Sequence, residues 1–296
     1  MENGPVVALF MGSGKGGVGS STITANVAWL TSQRMPAGED VGVIDAGYGV
    51  NATLSKLLGV GFSDGGMCVS TGLYDYILDV KGGTQVSPVQ REKLRVIGPG
   101  CLNIDAINWG LPELVSVFNK NPDAVVRYIQ DRVVRLITML QEAKEGRQGL
   151  RVRVVLIDLP SSAFRPLAWS LISLADIAFI IGEWGDVHVH EVNDALSLVE
   201  GVAKIVKRRI ATYVIINKAL PISDSDMRRL ISHTYDGLIT LPYSRIVHAL
   251  TSLRRDLAIR YAGDMQARRE VEYREWSDGV RKVSDIILEL VRRRWG

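Results

Sequence analysis

Cysteines and long apolar runs are scarce in this chain. Its 296 residues include two cysteines, Cys68 and Cys101, which provide no disulfide framework and no close pair of metal ligands. No Cys-x-x-Cys motif is present, which argues against an iron–sulfur carrier or reductase. No apolar run approaches the ~18 residues of a membrane span, and no basic segment followed by an apolar one opens the chain. These absences predict a cytoplasmic protein.

The composition predicts a large globular core. Hydrophobic residues make up 47% of the chain, enough for one large α/β domain, and we expect a single domain over residues 1–296. The net charge of +3 does not by itself indicate a nucleic-acid partner. However, residues 200–296 hold 19 Lys and Arg against 12 Asp and Glu. The basic surface is therefore C-terminal.

A glycine-rich loop is the most informative stretch. It joins an apolar run typical of a buried strand, Val6–Phe10, to Ile23–Leu30, whose apolar residues recur at helical spacing. Five of the eight residues from Gly12 to Gly19 are glycine, so the backbone can turn its N–H groups inward toward a helix N-terminus. Such groups suit a polyphosphate. The hydroxyl of Ser21, with Thr22 beside it, is placed to bind the accompanying Mg²⁺.

The loop departs from the general phosphate-loop pattern at one position. Ser20 stands where that pattern has a lysine, whereas Lys15 occurs early in the loop. Lys-Gly-Gly-Val-Gly-Ser-Ser-Thr resembles the deviant phosphate loop of the ParA/MinD family of ATPases, in an atypical form somewhat like the TadZ/CpaE branch. The resemblance implies that Lys15 is catalytic and reaches the partner's phosphates in a nucleotide-sandwich dimer. It also implies ATP or ADP as ligand, contacted by Gly14, Lys15, Gly16, Gly17, Val18, Gly19, Ser20, Ser21 and Thr22.

A second strand-end segment bears on hydrolysis. Val41–Ile44 is predicted to be a buried strand that ends at Asp45, and the following residues resemble the family's switch I. This resemblance implies a catalytic role for Asp45, but Gly47 replaces the second aspartate of the pattern, which positions or activates the attacking water. From the residues alone, Asp45 is a turn residue or a cap of the next helix. The losses at Ser20 and Gly47 should each cost several kcal/mol of transition-state stabilisation.

Later strands supply the rest of the predicted site. The apolar run Arg153–Ile157 ends at Asp158, which resembles a Walker B aspartate that holds Mg²⁺ together with Ser21; a turn-forming role is the alternative. The resemblance implies that Asn217, after another apolar run, contacts adenine and that the segment containing Pro242 closes over the base. The alternation of strands and helices predicts a doubly wound, mostly parallel sheet with helices on both faces, of the P-loop NTPase type.

The tail has two alternative interpretations. A C-terminal amphipathic helix is predicted at about 277–296, with an apolar face and three arginines near its end. It either covers the sheet or, as the resemblance to MinD-like proteins implies, binds a membrane. Arginine pairs at 208–209, 228–229, 254–255 and 268–269 are either solvated or part of a non-specific DNA surface.

The resemblance implies a nucleotide-dependent homodimer that partitions or positions DNA or a cell-surface, division or pilus assembly, with an unknown protein cargo or activator. Its ATP hydrolysis would be weak or partner-dependent. The alternative from another class is a pseudo-ATPase scaffold that binds partners without nucleotide turnover. The retained Lys15, Ser21 and Asp158 favour the first hypothesis, whereas Ser20 and Gly47 favour the second. Association with the nucleoid or a membrane, through the basic C-terminal region, is a further expectation.

Overall fold

A computed structural model describes most of the chain. The described residues are 4–14, 16–47, 52–61, 71–79, 83–101, 111–141, 151–161, 163, 165–184, 186–219, 229–253, 256–265 and 267–295.

The core of the fold is one eight-stranded sheet. The strand order is β3-β4-β2-β5-β1-β6-β7-β8, and all neighbouring pairs are parallel except the antiparallel pair β3–β4 at one edge. Central strands are continuous apolar runs because parallel strands are covered on both faces. The strands are β1 Val6–Gly12, β2 Glu39–Asp45, β3 Val89–Arg91, β4 Leu94–Ile97, β5 Arg151–Leu159, β6 Ile177–Glu183, β7 Ala211–Ala219 and β8 Gly237–Pro242.

Helices cover both faces of the sheet. Two apolar clusters form, and adjacent residues of β1 belong to different ones: Leu9 to the first and Phe10 to the second, as expected for a strand whose side chains alternate. The fold class predicted from the sequence is confirmed. The described helices are α1 Ser20–Arg34, α2 Thr53–Leu57, α3 Leu73–Leu78, α4 Leu111–Lys120, α5 Pro122–Gln141, α6 Arg165–Leu174, α7 Asp186–Ile205, α8 Arg245–His248 and α9 Val271–Trp295, with a π-helix at Ala249–Leu253 and 3₁₀ turns at Ala258–Gly263 and Ala267–Arg269.

The C-terminal helix α9 is part of the core. It begins at Val271 rather than near residue 277, because Tyr273 and Trp276 in its first turns are also buried. Its apolar face joins the cluster that contains α1, and Arg294 binds both carboxylate oxygens of Asp176, at 3.1 and 2.8 Å. The apolar face therefore covers the sheet. In the part of the chain that the structure describes, no helix is long and apolar enough to cross a membrane.

The arginines of the four pairs differ in the contacts that the structure shows for them. Arg208 donates to the carbonyls of Ser173 and Ala175, at 3.0 and 2.6 Å, and so helps to hold the connection before β6. Arg209 forms an ion pair with Asp236. Arg228, Arg254 and Arg255 lie outside the described residues, as do the side-chain surroundings of Arg268. The DNA surface stays a prediction.

Cys101 is disulfide-bonded, whereas the cysteine count predicted no disulfide framework. The count carries no information on spatial proximity, which a disulfide requires. The other cysteine of the sequence, Cys68, lies outside the described residues.

Candidate functional site

The glycine loop runs from the end of β1 to the start of α1, as predicted. Gly14, Gly17 and Gly19 have φ angles of 42°, 91° and 92°, in the left-handed region that side chains with a Cβ rarely adopt. Gly19 is the N-cap of α1, and no side chain caps this helix. The first-turn N–H groups can therefore bind an anion at the positive end of the helix dipole. Lys15 lies outside the described residues.

A pocket of about 270 Å³ opens on this loop. None of the described residues that line it is charged, so its binding capacity rests on backbone N–H groups and hydroxyls. These are the groups expected of a phosphate cradle. The lining residues are Gly12, Gly16, Gly17, Val18, Gly19, Ser20, Ser21, Thr22, Thr53, Pro160 and Ser161.

Asp158 lies beneath the start of α1 and is almost fully buried. Ser20 Oγ donates to its Oδ1 at 2.6 Å, Ser21 Oγ donates to its Oδ2 at 2.5 Å, and Thr24 Oγ1 donates to Oδ1 at 3.3 Å. Burial raises the pKa of Asp158, and the three hydroxyl donors act in the opposite direction.

The oxygens of Ser21 and Asp158 fit the ligand preference of Mg²⁺. Within the described ranges, no group of three or more His, Cys, Asp or Glu side chains could form a metal site on its own. The metal would therefore need nucleotide phosphates to complete its ligand set, as in phosphate-loop proteins.

Asp45 is paired with Asp158 across β2 and β5 and is fully buried. Its carboxylate accepts from Gly47 N at 2.8 Å and from the N and Oγ of Ser55 at 2.8 and 2.6 Å. Burial, followed by the nearby charge of Asp158, raises the pKa of Asp45 to about 7. These contacts of Asp45 fix the turn after β2 and hold it to α2. They agree with the alternative that the residues alone gave for Asp45, a turn residue or a cap of the next helix. The catalytic role stays a prediction.

A second pocket, of about 250 Å³, adjoins the first and shares Gly17, Gly19 and Thr22 with it. Asn217, at the end of β7, donates its Nδ2 to Val18 O at 2.8 Å and so joins the loop to this pocket. The pocket is partly apolar and suits the base and sugar of a nucleotide whose phosphates occupy the first pocket. Its other lining residues are Ile23, Lys218, Pro242, Tyr243, Ser244, Val247, His248, Thr251, Ser252 and Trp276.

The structure thus brings Gly16 to Thr22, Asp158, Asn217 and Pro242 around one cleft, although their roles stay predictions. It also shows participants that the sequence did not identify. The π-helix Ala249–Leu253 lines the second pocket, and such helices occur preferentially at functional sites. Thr24 adds a donor to Asp158. Neither has a sequence signal, since both depend on tertiary placement.

Comparisons with solved structures support the fold. The septum site-determining protein MinD of Pyrococcus horikoshii OT3, complexed with Mg-ADP, has a TM-score of 0.64 at 17% identity, covering 98% of each chain. The ATP complex of a McdA variant from Cyanothece has a TM-score of 0.66 at 16% identity, covering 97% of this chain and 98% of the other.

A ParA family ATPase from Chlorobium tepidum TLS has a TM-score of 0.62 at 16% identity, covering 97% of this chain and 99% of the other. No protein-family model matches the sequence, and a search of curated proteins finds no match. The chain therefore has the fold of the MinD, ParA and McdA ATPases.

Proposed function

We propose that this protein is a ParA/MinD-like nucleotide switch that binds Mg-ATP in the cleft between the glycine loop and β7. The phosphates would lie on the backbone N–H groups of the loop and of the first turn of α1. Ser21 and Asp158 would hold Mg²⁺, and Asn217 and Pro242 would lie beside the base. Lys15 would act across a homodimer.

One observation carries the proposal. The uncapped N-terminus of α1 and two left-handed glycines, Gly17 and Gly19, line two adjoining pockets that together match a nucleotide's phosphate and nucleoside parts. Left-handed glycines beside a helix N-terminus turn backbone N–H groups toward an anion. The Mg-ADP and ATP complexes of structural neighbours support the same ligand class.

The switch would act in partitioning or spatial positioning. ATP binding would cause dimer formation, and the dimer would then dock DNA or a division, pilus or other cell-surface assembly. Hydrolysis would be weak or would depend on a partner, because neither Ser20 nor Gly47 can supply the charge that the family pattern has at these positions.

A second candidate is a pseudo-ATPase scaffold. It is favoured by Ser20 and Gly47, which stand where the family pattern has a lysine and an aspartate, and the Ser20 hydroxyl is hydrogen-bonded to Asp158. In this case the cleft would be structural, and partner binding would not depend on nucleotide.

Calorimetry with ATP and ADP in the presence of Mg²⁺ separates these candidates. The wild type is compared with Lys15→Ala, Asp158→Asn and Lys204→Ala, the last a control because Lys204 is exposed, lies in the last turn of α7 and lines neither pocket. Micromolar ATP binding that weakens in the first two variants, and dimerisation of the same samples in size-exclusion chromatography, support the switch. No binding at millimolar ATP supports the scaffold.

A further inference from the structure

Lys218 occupies an irregular position at the end of β7. The register between β7 and β8 shifts between Asn217 and Ala219, so Lys218 is the additional residue of a bulge. Its φ angle is 54°, which is unfavourable for a residue with a Cβ. Bulges redirect side chains and are common next to active sites. The strain at Lys218 therefore suggests that the direction of its side chain matters.

The side chain of Lys218 reaches the glycine loop. Its Nζ donates to Gly17 O at 2.9 Å and forms an ion pair with Glu183, at the end of β6. The preceding residue, Asn217, donates to the next carbonyl of the loop, that of Val18. Two consecutive side chains of β7 thus hold two consecutive carbonyls of the loop.

These contacts set the direction of two N–H groups. In a planar trans peptide the C=O of one residue and the N–H of the next point in opposite directions. The carbonyls of Gly17 and Val18 are turned toward β7. The N–H groups of Val18 and Gly19 are therefore directed away from β7. Gly17, Val18 and Gly19 line the phosphate pocket, whereas Asn217 and Lys218 line only the second pocket.

We propose that Lys218 is a positioning residue that holds the glycine loop in its phosphate-binding shape before the nucleotide arrives. The phosphate part rests on the proposed function. The ion pair with Glu183 directs the ammonium group, and the bond to Gly17 O transmits that direction to the N–H of Val18. Preorganised donors bind an anion without the cost of ordering them. Ser20 provides no cation within the loop. Lys218 lies outside the loop and supports it through the carbonyl of Gly17.

The test uses backbone ¹⁵N relaxation of the ligand-free protein, which measures the order of individual N–H groups. Lys218→Met removes the donor but keeps the aliphatic stem. Lys204→Met is the matched control, because Lys204 also forms an ion pair, with Glu200, but lies away from the loop. We expect the order parameters of the Val18 and Gly19 N–H groups to fall from about 0.85 to below about 0.6 in Lys218→Met, with no change in Lys204→Met. Lys218→Arg should restore most of the order.

Calorimetry on the same variants measures the consequence for Mg-ATP, whose affinity should fall about tenfold in Lys218→Met, as for the loss of a hydrogen bond to a charged group. Unchanged order parameters at Val18 and Gly19 would overturn the inference. So would lower order parameters spread over β6 and β7, which would indicate a general role in strand stability. If the wild type does not bind ATP, the proposed function fails, and the relaxation result still decides whether Lys218 positions the loop.

Discussion

The glycine loop allows a matched pair of substitutions. Gly17 and Gly19 have φ angles of 91° and 92°, but a Cβ on Gly17 would meet no atom within 4 Å, whereas a Cβ on Gly19 would lie 2.3 Å from Asn217 Nδ2. Alanine at either position has the same left-handed backbone cost, about 1 to 2 kcal/mol. Only Gly19→Ala must also move Asn217.

The additional cost of Gly19→Ala follows from the contacts of Asn217. Its side chain is buried and donates to Val18 O at 2.8 Å, so a shift that accommodates the new methyl group breaks this bond and leaves a polar group unsatisfied, for about 1 to 3 kcal/mol. We therefore expect Gly17→Ala to lower the free energy of unfolding by about 1 to 2 kcal/mol, and Gly19→Ala by about 2 to 5 kcal/mol.

Urea unfolding without nucleotide, followed by circular dichroism, measures both values. A double-mutant cycle tests the cause. In an Asn217→Ala background the steric conflict is gone, so the cost of Gly19→Ala should fall to that of Gly17→Ala. Equal costs of the two glycine substitutions in the wild type would refute this reasoning, as would a cost of Gly19→Ala that Asn217→Ala does not reduce.

Three further predictions concern the buried groups and the C-terminal helix. Because the pKa of Asp45 is raised to about 7, the folded state binds its proton more tightly than the unfolded state. In Mg²⁺-free buffer the free energy of unfolding should therefore fall by about 4 kcal/mol between pH 4 and pH 8, and Asp45→Asn should flatten this slope in urea titrations. Trp276→Ala, which empties a fully buried site on α9, should cost about 3 to 5 kcal/mol in the same assay. Arg294→Gln, which removes the paired bonds to Asp176, should cost about 1 to 2 kcal/mol; no loss of stability would show that these bonds do not anchor α9.

Much of the fold could be predicted because the residues that are buried in it also form recognisable apolar patterns along the sequence. The central strands are short apolar runs that end at a turn or an aspartate, and α5 has apolar residues at helical spacing whose side chains are buried. Elements of weaker pattern could not be predicted. β3 is a three-residue edge strand with mostly exposed residues, so its apolar content gives no signal. α9 begins six residues earlier than predicted because its first turns are stabilised by the burial of Tyr273 and Trp276.

The glycine loop was identifiable because its backbone requires glycine at particular positions. The contacts that fix the loop were not. Asn217 and Lys218 are simply a polar pair after an apolar run in the sequence, and their bonds to Val18 and Gly17 depend on a bulge and on the pairing of β6 with β7. A register shift arises from tertiary packing, and residue types alone do not encode its position.

Ser20 has two opposite effects on the candidate metal site. It removes the lysine charge of the family pattern, and its hydroxyl adds a donor to Asp158 beside that of Ser21. A metal would have to take the place of at least one of these donors. The magnesium dependence of ATP binding therefore tests the role of Asp158. Binding that weakens sharply with EDTA would show that a metal takes part in the site, whereas unaltered binding would leave Asp158 with a structural role.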